Sequence, residues 1–136
     1  MKVCLDTNIF IVVKNREEGY EYCEKILDAV DEGLLRGIIS TVVAAEVLVG
    51  FYRNDKVREA KKFVDHIVCT YEVQDVNMEI ADIAARLRAK GLKLPDAIIA
   101  ATAKVAGAVL ITKDENLRCN GVEVMSPEDF VNENSI

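Results

Sequence analysis

Residues 2–8, KVCLDTN, place three polar side chains directly after a short apolar run. The run at residues 2–5 predicts a buried strand, and Asp6, Thr7 and Asn8 follow where that strand ends. Asp and Asn are common turn residues, so an ordinary turn explains the triplet by itself. An acid at this position is also typical of a ligand site, because open α/β sheets bind ligands beyond the carboxyl ends of their strands. The rest of the chain has to distinguish a turn from a metal site.

The composition is that of a globular, acidic chain. Its 136 residues fit one domain, and 51% of them are hydrophobic, which is ample for a core. A net charge of −6 disfavours a protein that coats nucleic acid through bulk charge, although carboxylates neutralised by cations can still hold one locally. Four scattered cysteines and one histidine disfavour a zinc site and indicate reduced thiols. Asp6 interrupts the first apolar run, so we expect no secretory signal. Asp96 and Lys104 interrupt the most apolar window, residues 94–112, so we also expect no membrane span and a cytoplasmic protein.

Short apolar runs alternate with helical patterns along the chain. Strands are predicted at residues 2–5, 36–41, 108–112 and 122–125, and residues 67–73 form a further strand or an extended connector. Helices are predicted at residues 17–33, 41–52, 55–66, 77–90 and 95–106, and a last one begins at Ser126. This alternation predicts an α/β fold with a mostly parallel central sheet and helices on both faces.

Four acids fall where the carboxyl ends of this sheet are expected. Asp6 and Asp114 lie just past two strands, Asp96 begins the helix before the strand at 108–112, and Glu46 is half-way along the helix at 41–52. The residues three and four positions from Glu46 are valines and a glycine, so no helical neighbour pairs with its charge. We therefore expect Glu46 to be a carboxylate on an apolar stripe whose burial must be compensated.

Each acid also has an ordinary structural explanation. Asp6 fits a turn, Asp96 fits a helix N-terminus, Asp114 fits a loop, and an Arg from elsewhere in the fold would satisfy Glu46. Together, however, four carboxylates at one edge repel each other unless cations lie between them. A site of oxygen ligands without His or Cys suits Mg²⁺ or Mn²⁺, and two such ions support hydrolysis of a phosphodiester.

At this level of detail the sequence resembles a PIN domain. Four segments carry the resemblance in order along nearly the whole chain: LDTN at 5–8, STVVAAEVL at 40–48, LPDAIIAATA at 94–103 and LITKDENL at 110–117. The resemblance implies a single PIN-like domain over residues 1–136, with a three-layer α/β fold. It also implies a metal-dependent endoribonuclease, and stand-alone chains of this length resemble VapC toxins of toxin–antitoxin pairs.

The resemblance assigns the catalytic and metal-binding residues. These are Asp6, Glu46, Asp96 and Asp114, which would hold Mg²⁺ or Mn²⁺. Thr7, Asn8 and Thr112 are the implied polar supports that orient carboxylates or a water. The implied reaction is hydrolysis of RNA by an activated water, which leaves 5′-phosphate and 3′-hydroxyl ends and does not need the ribose 2′-hydroxyl.

The implied partners are RNA, a VapB-like antitoxin that wraps the protein and blocks its site, and a second copy in a homodimer. Arg86, Lys90 and Lys93 step along a helix towards Asp96 and are the expected phosphate contacts, whereas the basic group at 56–62 fits a solvated face. The helices carrying Phe51, Tyr52 and Phe63 are candidate interaction surfaces. Tyr20 and Tyr52 are expected in the core, and Tyr71 is a candidate for stacking on a base.

Three other functions stay open on the sequence. An RNA-processing PIN endonuclease would use the same chemistry without an antitoxin. A phosphotransferase or receiver domain would need D-x-D or paired N-terminal acids, whereas Asp6 is followed two positions later by Asn8. A non-catalytic binding module on the same fold would be expected to lack one of the four acids, and this chain has them all.

Overall fold

Five parallel strands form one sheet whose spatial order differs from their order along the chain. In this computed structural model, which describes residues 1–136, the strands are β1 (Lys2–Leu5), β2 (Arg36–Ser40), β3 (Glu72–Gln74), β4 (Val109–Ile111) and β5 (Val124–Met125). The sheet order is β3-β2-β1-β4-β5, and every neighbouring pair is parallel. The chain therefore moves outward from β1 to β3 and then crosses back to β4. The point where this direction reverses, between β1 and β4, is where ligands of open parallel sheets bind.

Seven helices cover the two faces of the sheet. They are α1 (Thr7–Asn15), α2 (Tyr20–Asp31), α3 (Thr41–Arg53), α4 (Val57–Thr70), α5 (Met78–Ala89), α6 (Leu94–Ala106) and α7 (Pro127–Asn134). The first four connect β1 to β2 and β2 to β3, whereas α5 and α6 lead back to β4. Because parallel crossovers are right-handed, these two sets lie on opposite faces. The α/β fold expected from the sequence is confirmed. No helix has both the length and the apolar character needed to span a membrane.

Two clusters of buried side chains hold these layers together. The larger one contains the strands, where Val3, Leu5 and Ile39 are fully buried, as expected for a sheet covered on both faces. The smaller one lies between α5 and α6 and is built around Ile80, Ala84, Ala97 and Ala101. The alanines of α6 therefore face two ways, some towards the sheet and some towards α5, and their small size lets the two helices pack closely.

Several helix boundaries follow the capping signals of the sequence. Ser40, Asn77 and Ser126 each accept a backbone hydrogen bond at the start of α3, α5 and α7. Gly107 ends α6 with a φ of 64°, a left-handed conformation that glycine adopts without steric cost.

The structure corrects four details of the sequence analysis. Residues 7–15 form α1, which the sequence analysis did not assign, and residues 67–70 continue α4 instead of forming a strand. Tyr52, expected in the core, is 56% exposed. Tyr71, a candidate for base stacking, is buried against Phe10, so it belongs to the core.

Candidate active site

Asp6 lies at the carboxyl end of β1, beside the end of β4. Its backbone N–H donates to the carbonyl of Ile111 at 3.0 Å, which continues the β1–β4 pairing by one residue. The residue keeps an extended backbone (φ −74°, ψ 158°) and is the N-cap of α1. Its side chain is only 6% exposed. The sequence therefore ends a strand and begins a helix at one residue, which holds the carboxylate at the reversal point of the sheet.

Three donors contact the Asp6 carboxylate. The Thr112 hydroxyl donates to Oδ2 at 2.7 Å, the Thr7 N–H donates to Oδ1 at 2.7 Å, and Asn8 Nδ2 donates to Oδ2 at 3.3 Å. Burial raises the pKa of Asp6 above its ordinary value, and the Thr112 and Thr7 hydrogen bonds oppose that rise. The charges of Asp96 and Glu46 raise the pKa further. Asp6 is thus a buried acid that other acids make harder to ionise.

The loop after β4 is attached to the start of α1 through polar side chains. Thr112 Oγ1 accepts from the Asp114 N–H at 3.0 Å, and Asn8 Oδ1 accepts from the Lys113 N–H at 3.2 Å. Asn8 Nδ2 also donates to Thr112 Oγ1 at 3.3 Å. Asp114 itself accepts from the Asn116 N–H at 3.0 Å. These contacts fix Asp114, which is half-buried, beside the end of β4.

Glu46 reaches the site from α3 but is not buried. Its side chain is exposed, and the Thr7 hydroxyl donates to Oε1 at 2.5 Å. The expectation that Glu46 is a buried charge in need of compensation is therefore wrong, because Val43 and Val47 take the buried positions of α3 and turn Glu46 outward. Its polar partner comes from α1, which the sequence analysis did not recognise as a helix.

Asp96 lies in the first turn of α6 and is half-buried. Burial raises its pKa, the charges of Asp114 and Glu46 raise it further, and the charge of Lys93 lowers it. Asp6 is influenced by Asp96 and Glu46 in the same way. The fold therefore places the four acids within electrostatic reach of one another. No ion pair joins Asp6 or Asp96 to a basic side chain, and Lys93 acts on the pKa of Asp96 through its charge alone.

The donor chemistry of these acids fits a hard divalent cation. All of their ligand atoms are carboxylate oxygens, the class that Mg²⁺ and Mn²⁺ prefer, and mutual repulsion is what such an ion relieves. The acids do not form a complete coordination site in this conformation. No three Asp, Glu, His or Cys side chains lie close enough together to hold an ion. Glu46 is the most exposed of the four acids, and its hydrogen-bond partner is the Thr7 hydroxyl.

A polar cleft of about 630 Å³ opens on the β5 side of the site. Thr112 and Asp114 line it together with Glu123, Asp129 and Arg118, while the other three acids do not. The cleft carries more acids than bases, so it extends the negative potential of the site.

The basic side chains predicted to contact phosphate are all exposed. Arg86 donates to the Asp82 carboxylate at 3.1 Å, an i,i+4 pair on α5, and its charge is partly neutralised there. Lys90 forms the C-cap of α5, and Lys93 precedes α6 close enough to Asp96 to influence its ionisation. Lys113, a basic residue not predicted to have a role, donates from its ammonium to the Glu18 carbonyl across the fold. No local pattern marks that contact, since 95 residues separate its partners.

Comparisons with known proteins show a similar sequence stretch and similar folds. A 56-residue stretch is 50% identical to an uncharacterized protein of Archaeoglobus fulgidus, covering 41% of this chain and 92% of that protein. The fold is similar to a chain of VapBC2 from Rickettsia felis, solved bound to a DNA fragment from their promoter, with a TM-score of 0.72 and 21% identity over 93% of this chain and 98% of that one. It is also similar to a chain of a toxin–antitoxin complex from Klebsiella pneumoniae, with a TM-score of 0.71 and 27% identity over 92% and 97%.

The family assignment rests on the sequence match. The PIN domain profile matches residues 3–121, a span that begins in β1 before Asp6 and ends beyond Asp114. The chain therefore belongs to the PIN domain family.

Proposed function

We propose that this protein is a metal-dependent endoribonuclease and the VapC-like toxin of a toxin–antitoxin pair. One observation carries the proposal: Asp6 is buried at the reversal point of the sheet, hydrogen-bonded by Thr112, and made harder to ionise by Asp96 and Glu46. Maintaining several interacting carboxylates at one sheet edge costs stability, and a catalytic site is a common reason for such an arrangement. Membership of the PIN family and the fold shared with chains of toxin–antitoxin complexes support the same conclusion.

In this proposal Asp6, Glu46, Asp96 and Asp114 hold Mg²⁺ or Mn²⁺. Divalent ions at such a site activate water and stabilise the leaving oxygen of a phosphodiester. Thr112 and Asn8 hold the Asp6 carboxylate in one orientation, and Thr7 holds Glu46. Asp114 is positioned through its backbone N–H on Thr112. The chain's own contribution is therefore to hold Asp6, Glu46 and Asp114 through these polar contacts before substrate arrives.

RNA is the proposed substrate, and its cleavage leaves 5′-phosphate and 3′-hydroxyl ends. Lys93 is the proposed phosphate contact closest to the acids, with Lys90 beside it on the surface; Arg86 contributes less because Asp82 shares its charge. Single-stranded or looped RNA fits best, because the acids are distributed around an open edge that an exposed strand can approach.

The proposed partners are a VapB-like antitoxin, which covers the site, and a second copy of the chain. The outer surface of α3 supports the second proposal, since Val49 and Tyr52 are 44% and 56% exposed. Phe51 and Phe63 contribute less to that surface, because their rings pack against each other with centroids 6.0 Å apart and only part of each is accessible.

The first test is the substitution Asp6→Asn. We expect the purified variant to keep its far-ultraviolet circular dichroism spectrum and to lose cleavage of a labelled single-stranded RNA by at least about 100-fold, the scale of losing one preorganised electrostatic group. Asp28→Asn is the matched control, because Asp28 is an exposed acid on α2 that lines the cleft with Met1 and Leu35, away from the four acids. Wild-type rates in Asp6→Asn would contradict the proposed site.

The same variants separate a toxin from an RNA-processing enzyme inside cells. Expression of the chain alone should arrest growth, and coexpression of the neighbouring gene should relieve that arrest. Asp6→Asn should be harmless without the neighbour. If the chain cleaves RNA but does not arrest growth, and the product of the neighbouring gene does not inhibit cleavage, the RNA-processing role is favoured.

A further inference from the structure

The ammonium of Lys14 lies between α1 and α3. Its Nζ lies 4.1 Å from the centroid of the Phe51 ring, a cation–π contact. Gly50 leaves space for this ammonium, since a Cβ at that position would lie 3.2 Å from Nζ. The three ion pairs of the structure join other residues, so no carboxylate neutralises Lys14.

The surface that carries Lys14 is continuous with the candidate active site. The Thr7–Glu46 hydrogen bond joins the start of α1 to α3 at the acids, and Lys14 contacts α3 again at Gly50 and Phe51. Lys14 lies seven positions after Thr7, which is about 10 Å along a helix, and Gly50 lies four positions after Glu46. The two helices therefore remain side by side from the acids to Lys14.

An acidic nuclease needs local cations to hold a polyanion on either side of its site. The chain carries a net charge of −6, so bulk attraction does not supply them. Lys93, at the start of α6, provides a positive charge on one side of the acids. α1 belongs to the helices of the opposite face, so Lys14 lies on the other side.

We propose that Lys14 binds a backbone phosphate of the RNA strand, adjacent to the one that is cleaved, so that the strand lies along the surface formed by α1 and α3. The inference rests on the proposed ribonuclease function. A lysine ammonium binds phosphate as a point charge without reading bases. The contact therefore raises the affinity for RNA and sets the direction in which the strand crosses the surface, but it does not select a base sequence. Its continuity with the acids favours RNA as the ligand at Lys14, whereas the second copy proposed above would contact Val49 and Tyr52 of α3.

The test is the salt dependence of RNA binding after Lys14→Gln. Both proteins also carry Asp6→Asn, so that the labelled single-stranded RNA stays intact at constant Mg²⁺. Each lost phosphate contact lowers the slope of log affinity against log salt by about 0.7 for single strands, so affinity should change about 2.6-fold less between 50 and 200 mM salt. In the chain with Asp6 present, Lys14→Gln should raise KM and leave kcat unchanged.

Two controls accompany this variant. Lys14→Arg keeps the charge and should retain the slope. Lys25→Gln removes the same charge beside the cleft that includes Met1 and Leu35, away from the acids, and should also retain it. An unchanged slope in Lys14→Gln overturns the inference while the ribonuclease proposal stands.

The remaining outcomes are also decisive. If the chain neither binds nor cleaves RNA, the proposed function and this inference both fail. If Lys14→Gln leaves RNA binding intact but changes the molar mass of the protein in light scattering, the surface contacts another copy of the chain, and the RNA assignment is wrong.

Discussion

At the scale of single residues, the site depends on how one buried carboxylate is satisfied. Asp6 is 6% exposed and accepts from Thr112, Thr7 and Asn8. Of the two side chains among these donors, Thr112 makes the shorter contact, and its hydroxyl also accepts from the Asp114 N–H. One hydroxyl therefore orients two of the proposed ligands.

Replacing Thr112 with valine tests this double role. Valine has nearly the same shape but no hydroxyl, so Asp6 loses a donor and the Asp114 N–H loses its acceptor. We expect the free energy of unfolding at pH 7 to fall by about 1–3 kcal/mol, the cost of leaving a buried polar group unsatisfied, as measured by urea denaturation. Thr112→Ser keeps the hydroxyl and should recover most of the loss. Equal stability of the valine variant would mean that Asp6 does not depend on this hydrogen bond.

At the scale of elements, α1 shows where local pattern is misleading. Residues 7–15 contain Ile9, Ile11, Val12 and Val13, and β-branched side chains favour strands. The segment is nevertheless helical, because Asp6 caps it and Ile9, Phe10 and Val12 are buried in the helical arrangement. Tertiary packing outweighs propensity here. The helices with clear caps, α5 and α6, were predicted correctly to within a residue or two.

Two glycines in different elements should respond oppositely to alanine. Gly50 lies inside α3, where alanine favours the helix by about 1 kcal/mol, and its new Cβ would meet only the flexible end of Lys14. Gly50→Ala should therefore raise the free energy of unfolding by about 0.5–1 kcal/mol. Gly37→Ala in β2 should lower it by about 1–3 kcal/mol, because a Cβ there would lie 2.6 Å from the Tyr71 ring.

Thermal and urea unfolding of the two variants provide the measurement. If Gly50→Ala destabilises the protein, the Lys14 side chain cannot move away from the new Cβ. Tolerance of Gly37→Ala would show that the Tyr71 ring can move away from β2.

At the scale of the whole molecule, the sheet order collects acids that are far apart in the chain. Asp6 and Asp114 follow neighbouring strands, β1 and β4, and α3 and α6 bring Glu46 and Asp96 to the same edge. Burial raises the pKa of Asp6 and Asp96. The metal-free folded protein therefore holds these protons more tightly than the unfolded chain. This tighter proton binding adds to the free energy of unfolding at pH values below the unfolded pKa, near 4. The added stability is lost as the pH rises through the raised pKa values of Asp6 and Asp96 in the folded protein.

Divalent metal should reverse this loss. We expect Mn²⁺ to raise the melting temperature at pH 7, with a stabilisation of about 1.4 kcal/mol at tenfold excess over Kd, because it binds the folded site only. The rise should shrink towards pH 4, where protons compete for the raised-pKa carboxylates. Calorimetry with Mn²⁺ and with EDTA measures both effects.

Asp6→Asn is the control for the metal effect. It removes one proposed ligand, so Mn²⁺ should shift its melting temperature less than it shifts that of the unchanged chain. An equal shift in both proteins would place the bound metal elsewhere.

The sequence by itself determined the α/β class, most strands and helices, the capping residues and the family resemblance that the PIN match confirms. These are local properties, since periodicity, caps and motifs are written in consecutive residues. The tertiary structure decided what depends on distant contacts. It made residues 7–15 a helix, turned Glu46 to the surface with Thr7 as its partner, buried Tyr71 and placed Lys14 over Phe51. Each of these requires side chains separated by tens of residues to meet, and only the packing of the whole chain determines which do.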